Sequence, residues 1–197
     1  MAEFRKGHFY NWSLGNWPQP QGVTYTCGFC GAFAAPKQST QGQLHIDGRP
    51  QAKVGWMHIC PVCTQPTYIN GDNTAHPAVR LGSEVAGIPE DGLKQLYSEA
   101  RDCSAAGAFT ACVMVCRKIL MNLAVREGAP EGELFASYVT YLADKGFVPP
   151  KGKGWVDKIR QKGNEANHQI ALMTAADAAE VLKFIEALLR YNFELVA

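Results

Sequence analysis

The sequence predicts an α+β chain in which a small N-terminal β ribbon precedes an all-α helical bundle. Three observations carry that expectation. Two Cys-x-x-Cys pairs, Cys27/Cys30 and Cys60/Cys63, bracket a stretch with a turn signal inside it. The composition changes near residue 88, before which Gly, Pro, Gln, Thr and aromatic residues dominate. Beyond that point a 3.6-residue apolar period runs almost to the end. The expected organisation is a ribbon with an aromatic N-terminal arm over residues 1–70, a linker over 71–88 and a bundle over 89–197.

Inside the ribbon, Asp47-Gly48 is a turn signal flanked by Leu44-His45-Ile46 and Lys53-Val54-Gly55-Trp56, the pattern of a β-hairpin between the two cysteine pairs. The linker opens with Ile69-Asn70-Gly71-Asp72-Asn73, whose Asn-Gly and Asp-Asn steps favour turns, and Pro77 and Pro89 add breaks. In the bundle, Leu93, Leu96, Tyr97, Ala100 and Cys103 form the first stripe, stopped by Gly107. Phe109, Cys112, Val113, Cys116, Leu120 and Leu123 form the second. With Val115 and Ile119 that helix is apolar most of the way round and belongs at the centre. Phe135, Tyr138, Val139 and Leu142 mark a third helix, and Trp155, Ile159, Ala166 and Ile170 a fourth, broken at Gly163. Thr174-Ala175-Ala176-Asp177 resembles a capping box, followed by Ala178, Val181, Leu182, Ile185, Leu188 and Leu189 on the buried face of the last helix.

Two Cys-x-x-Cys knuckles supply four thiolates, and each knuckle places two sulfurs on one edge of a tetrahedron. The spacing therefore predicts one structural Zn2+ per chain, held by Cys27, Cys30, Cys60 and Cys63. Gly28 is expected to relieve the first turn and Pro61 to stiffen the second. His58 is a strand residue that could replace a ligand. Cys103, Cys112 and Cys116 read as ordinary buried thiols. Seven cysteines, an odd count, fit a reducing compartment better than a disulfide framework.

The 197 residues are 47% hydrophobic and 19% charged, as in a folded chain. A net charge of +1 argues against a broad phosphate-neutralising surface. Residues 1–10 lack the apolar core of a signal peptide, and no stretch reaches the roughly 20 apolar residues of a membrane helix. The expectation is a cytoplasmic protein with no membrane association.

Tyr97-Ser98-Glu99-Ala100-Arg101, Val115-Cys116-Arg117-Lys118-Ile119-Leu120 and Gly163-Asn164-Glu165-Ala166-Asn167-His168 resemble, together, domain-of-unknown-function family 4145 (DUF4145), grouped with the HEPN-like helical proteins. The resemblance covers roughly residues 85–192. It implies a HEPN-like bundle, a prokaryotic or phage origin, and service in restriction or other antiviral defence. It implies no established reaction. Active HEPN proteins are metal-independent ribonucleases with an Arg-x4–6-His signature, usually Arg-Asn-x-x-x-His. Here Gly163 stands where the arginine should be, Lys162 lies within the spacing, and Arg160 falls just outside it. Cleavage needs a cation to stabilise the phosphate as well as a histidine to move a proton, and glycine brings no charge.

The candidate catalytic set is His168, Asn164 and Arg160, which lie along one side if their segment stays helical, with Arg117 within possible reach. The alternative is that Gly163 and Asn164 end one helix and cap the next, His168 ties helices together, and Arg117 is a buried anchor. Lys151, Lys153, Lys158 and Lys162 beside Trp155 are the candidate nucleic-acid contacts. The function expected is that of a non-catalytic zinc-binding interaction protein whose partner is a protein, a second copy of the chain or a nucleic acid. The alternative is a HEPN-type endoribonuclease.

Overall fold

The computed structural model describes residues 8–10, 22–47, 49–148 and 172–195. The chain forms two compact units, Met1–Arg80 with Ala105–Gly107 and Leu81–Ser104 with Ala108–Ala197. The first carries seven strands among its described residues: β1 (His8–Tyr10), β2 (Tyr25–Thr26), β3 (Phe33–Ala34), β4 (Gln38–Ile46), β5 (Arg49–Ile59), β6 (Pro66–Ile69) and β7 (Ala75–His76). Five of them make an antiparallel sheet in the order β1-β4-β5-β6-β7, and β2 pairs with β3 apart from it.

The hairpin read from Asp47-Gly48 is β4–β5, in register from Gln38↔Ile59 to Ile46↔Arg49, with an irregularity between Gln43 and His45. Asp47 turns it with φ of 49°, a left-handed conformation that Asp tolerates better than most residues. The Asn70–Asn73 signal becomes the β6–β7 turn, where Asn70 Oδ1 accepts the N–H groups of Asp72 and Thr74 at 3.0 and 2.8 Å. Such side-chain acceptance is why Asn marks turns.

The described residues of this unit bury little apolar matter. Its core cluster is Tyr25, Cys27, Cys60 and Ile69, with Ala32, Trp56, Cys63 and Ala75 packed partly against it. Among the described residues its other buried side chains are mostly polar, Ser39, Thr40, His58 and Thr67, beside Pro36 and Ala105. Ser39 Oγ and His58 Nδ1 meet at 2.7 Å, and the His58 ring lies beside those of Tyr25 and Trp56. Small folds with few buried apolar side chains lean on a metal or disulfides.

The second unit contains four described helices, α1 (Asp91–Ala105), α2 (Phe109–Arg126), α3 (Phe135–Asp144) and α4 (Ala175–Phe193). The apolar period places each of them. Cys112, Val113, Cys116, Ile119, Leu120 and Leu123 of α2 are all buried, and α2 packs against both α3 and α4. Gly128, at φ 97°, ends α2 in a left-handed residue, while Ala129 N–H returns to Ala124 O at 2.9 Å. The capping box of α4 is formed: Asp177 N–H donates to Thr174 Oγ1 at 3.2 Å, and Thr174 N–H to Asp177 Oδ2 at 2.9 Å. The fourth helical stretch expected over Trp155–Ile170 lies outside the described residues. Among the described residues no helix is long and apolar enough to cross a membrane.

The end of the segment expected to be a linker lies on the helices. Val85 is buried in the helical core, with Leu81 and Ile88 packed partly against it. Tyr97 Oη donates to Ser83 O at 3.0 Å, and Arg101 donates to Leu81 O and Gly82 O, both at 2.9 Å. From α4, Glu186 Oε1 accepts Ser83 N–H at 3.2 Å and Glu194 Oε1 accepts Ala86 N–H at 2.7 Å. These charged partners satisfy a stretch of backbone that belongs to neither helix nor sheet.

Candidate metal centre

Each cysteine pair forms the turn of a hairpin, the first between β2 and β3, the second between β5 and β6. The two turns are built alike. Cys27 N–H reaches Ala32 O and Gly31 N–H returns to Cys27 O, both at 2.9 Å. Cys60 N–H reaches Gln65 O at 3.1 Å and Thr64 N–H returns to Cys60 O at 3.0 Å. The fifth residue of each turn is left-handed, Gly31 at φ 72° and Thr64 at φ 60°. The conformational freedom expected of Gly28 therefore belongs to Gly31. Gly28 is needed for space: a Cβ there would stand 1.9 Å from Pro77 O.

The four Sγ atoms lie within 4.8 Å of one another. Cys27 and Cys63 sulfurs are 3.6 Å apart, and those of Cys30 and Cys60 3.7 Å. A disulfide needs about 2.05 Å, and all four cysteines are free. Zn–S bonds of about 2.3 Å in a tetrahedron put sulfurs about 3.8 Å apart, so the donor set fits zinc. Amide donors are aimed at the sulfurs as a thiolate centre requires. Phe29 N–H points to Cys27 Sγ and Val62 N–H to Cys60 Sγ, each at 3.4 Å, and Thr67 Oγ1 lies 3.7 Å from Cys27 Sγ.

The electrostatics agree with the geometry. Amide N–H groups, that of Cys63 foremost, bring the Cys60 thiol down to about 6 against the opposing effect of burial. Burial opposes ionisation of Cys27, yet the N–H groups of Cys30 and Phe29 and the Thr67 hydroxyl hold it below the usual thiol range. Cys63 shows the effect of bringing four sulfurs together. The Gln65 N–H favours its thiolate, but burial and the three neighbouring sulfurs push it up to about 12. A divalent cation removes that repulsion. Tyr25 supplies a further sign: its hydroxyl is buried and faces the Cys60 sulfur. Burial, the charges of Cys60 and Cys27 and the contact with Cys60 push its pKa up, so this hydroxyl stands beside the sulfurs.

His58 is not one of the group. It is buried, with Nδ1 at Ser39, and burial draws its pKa below the usual value. Among the described residues the metal-ligating cluster consists of the four cysteines alone. Cys27 and Cys60 are wholly buried, Cys30 is exposed and Cys63 is between.

The other candidate residues divide in two. His168, Asn164, Arg160, Lys151, Lys153, Lys158 and Lys162 lie outside the described residues. Arg117 is buried on α2 with its guanidinium 4.0 Å from the Phe135 ring centroid, a cation–π contact. Burial lowers its pKa from the ordinary arginine value, leaving it still a cation at neutral pH. Arg101, also buried, holds the carbonyls of Leu81 and Gly82. Sequence reasoning missed Thr67 and Tyr25, which contact the cysteines from positions that no local pattern marks.

The family described as Domain of unknown function (DUF4145) matches residues 98–197, just over half of the chain. No curated protein and no solved structure matches the chain.

Proposed function

The chain belongs to the DUF4145 family, and from that premise we propose that it is a non-catalytic zinc-binding interaction protein of a prokaryotic or phage defence or nucleic-acid-handling system. The observation that carries this reading is the closed cluster of four sulfurs. Cys27, Cys30, Cys60 and Cys63 would hold one Zn2+ per chain, which supplies folding energy to a ribbon with a small apolar core. Four protein ligands fill a tetrahedral ion and leave no position for water, so the chemistry of such a centre is structural. The motif cations support the same reading, since Arg101 and Arg117 are engaged by backbone carbonyls and an aromatic ring.

A protein partner suits the ribbon better than a phosphate backbone. Phe29 and Val62 stand exposed inside the two knuckles, and Phe33 on β3 is 72% exposed. Apolar side chains turned to solvent mark protein contacts more often than phosphate contacts, and the net charge of +1 points the same way.

The test has two arms on the purified full-length protein. Elemental analysis is expected to give one zinc per chain, and none after native purification refutes the metal. Incubation with single-stranded and structured RNA is expected to give no cleavage. Cleavage that disappears in His168→Ala, at equal thermal stability, refutes the non-catalytic reading and establishes the ribonuclease.

A further inference from the structure

The first knuckle is gripped from outside itself. Thr67, wholly buried on β6, lies 40 residues from Cys27 in sequence. Its Oγ1 accepts the Gly28 N–H at 3.1 Å and stands 3.7 Å from Cys27 Sγ. A hydroxyl has one proton and two lone pairs. With the Gly28 amide on a lone pair, the proton is left for the sulfur. Threonine also has few χ1 choices, so a buried Thr67 does not swing away from this arrangement.

The position of that hydroxyl is set by the sheet. Thr67 pairs with His58 across β5–β6, and β5 pairs along its length with β4. The Pro77 carbonyl closes the space at Gly28 as well. Residue 28 is thus in contact with both the Thr67 hydroxyl and the Pro77 backbone, and Cys27 is carried with it. Cys27 receives the Thr67 hydroxyl beside the amides of Phe29 and Cys30.

We propose that Thr67 is a positioning residue of the metal centre, fixing the first knuckle before metal arrives and donating a hydrogen bond to the Cys27 thiolate in the loaded state. This inference rests on the reading of the cysteines as a metal site. Drawing charge from one thiolate eases the excess negative charge that four thiolates leave around a divalent ion. Partners of this kind, behind the ligands themselves, typically account for about 10–100-fold in metal affinity.

The experiment uses the full-length protein loaded with Co2+, whose sulfur-to-cobalt charge-transfer bands report on thiolate electron density. Wild type, Thr67→Val and Thr67→Ser are compared by chelator competition and by absorption. Thr67→Val keeps the shape and loses the hydroxyl. It is expected to weaken Co2+ and Zn2+ binding by about 10–100-fold and to move the charge-transfer band to longer wavelength. Thr67→Ser is expected to restore both. Should Thr67→Val fail to fold, Thr67→Ala carries the same comparison. Equal affinity and an unmoved band in the hydroxyl-free variant, with wild type binding cobalt normally, overturn the role of Thr67 alone. Wild type that binds no cobalt overturns the metal reading and this inference with it.

Discussion

Leu120 offers the sharpest check on the helical unit. It lies on α2 with no exposed surface, among Cys116, Ile119, Leu123 and Ala124, which are equally buried. Leu120→Ala removes three carbons. At about 0.8 kcal/mol per buried CH2, the lost transfer free energy alone is about 2.4 kcal/mol. The surrounding helices relax only partly, so a cavity term adds to this, and the whole is expected to fall within about 2–5 kcal/mol. The assay is urea denaturation followed by helical circular dichroism, with Leu134→Ala as the control. Leu134 precedes α3 and is 77% exposed, so its truncation is expected to change stability by less than about 0.5 kcal/mol. Costs below about 1 kcal/mol for Leu120→Ala, or equal costs for the two variants, would refute the packing assigned to α2.

Two other outcomes follow from the same geometry. Cys60→Ser, or removal of zinc with a chelator, is expected to abolish the near-ultraviolet signal of Tyr25 and Trp56 while leaving most helical ellipticity. Loss of both signals together refutes the assignment of the metal to the ribbon's own stability. The second outcome concerns Glu194, whose carboxyl is held below the ordinary glutamate value by the Ala86 N–H, with Arg190 adding to it against burial. A depressed carboxyl stabilises the fold fully above its unfolded pKa of about 4.3, and that contribution disappears as pH falls through the folded value. Glu194→Gln is therefore expected to be less stable than wild type at pH 7 and to converge on it at low pH, measured by urea midpoints. A gap that persists unchanged under acid contradicts the assignment.

What the sequence disclosed and what it hid follow from how far apart the interacting residues lie. The four clustered cysteines are legible because each knuckle writes its geometry into four consecutive residues. The helices are legible because a 3.6-residue period is local, and the α4 cap because Thr174 and Asp177 are three positions apart. Thr67 and Tyr25 are hidden because their contacts with the cysteines join separate strands. A buried Thr67, Ser39 or His58 carries no mark that distinguishes it from a surface residue of the same type. The segment 81–88 was illegible for another reason: Leu81, Val85 and Ile88 are too few to show a period. What fastens them to the helices is backbone bonding to Tyr97, Arg101, Glu186 and Glu194. Arg101 and Arg117 sit in motifs that drew attention as cations, and the structure shows both engaged by immediate neighbours.

The β4–β5 hairpin leaves one knuckle's hairpin and runs into the other, so both of its ends come back to the same four sulfurs. An ion held there would act as a clasp on a loop, shortening the wandering of residues 31–59 in the unfolded chain. A covalent bridge across a loop of that size contributes on the order of 2–4 kcal/mol by this route. Since the entropy of closing a loop grows only with the logarithm of its length, the clasp is nearly indifferent to how long the hairpin is. Two residues added to each strand, or two removed, would leave the sulfurs where they are. A change of length at the far end of the hairpin, beyond what the pairing of β1 with β4 resists, would accordingly cost the clasp little.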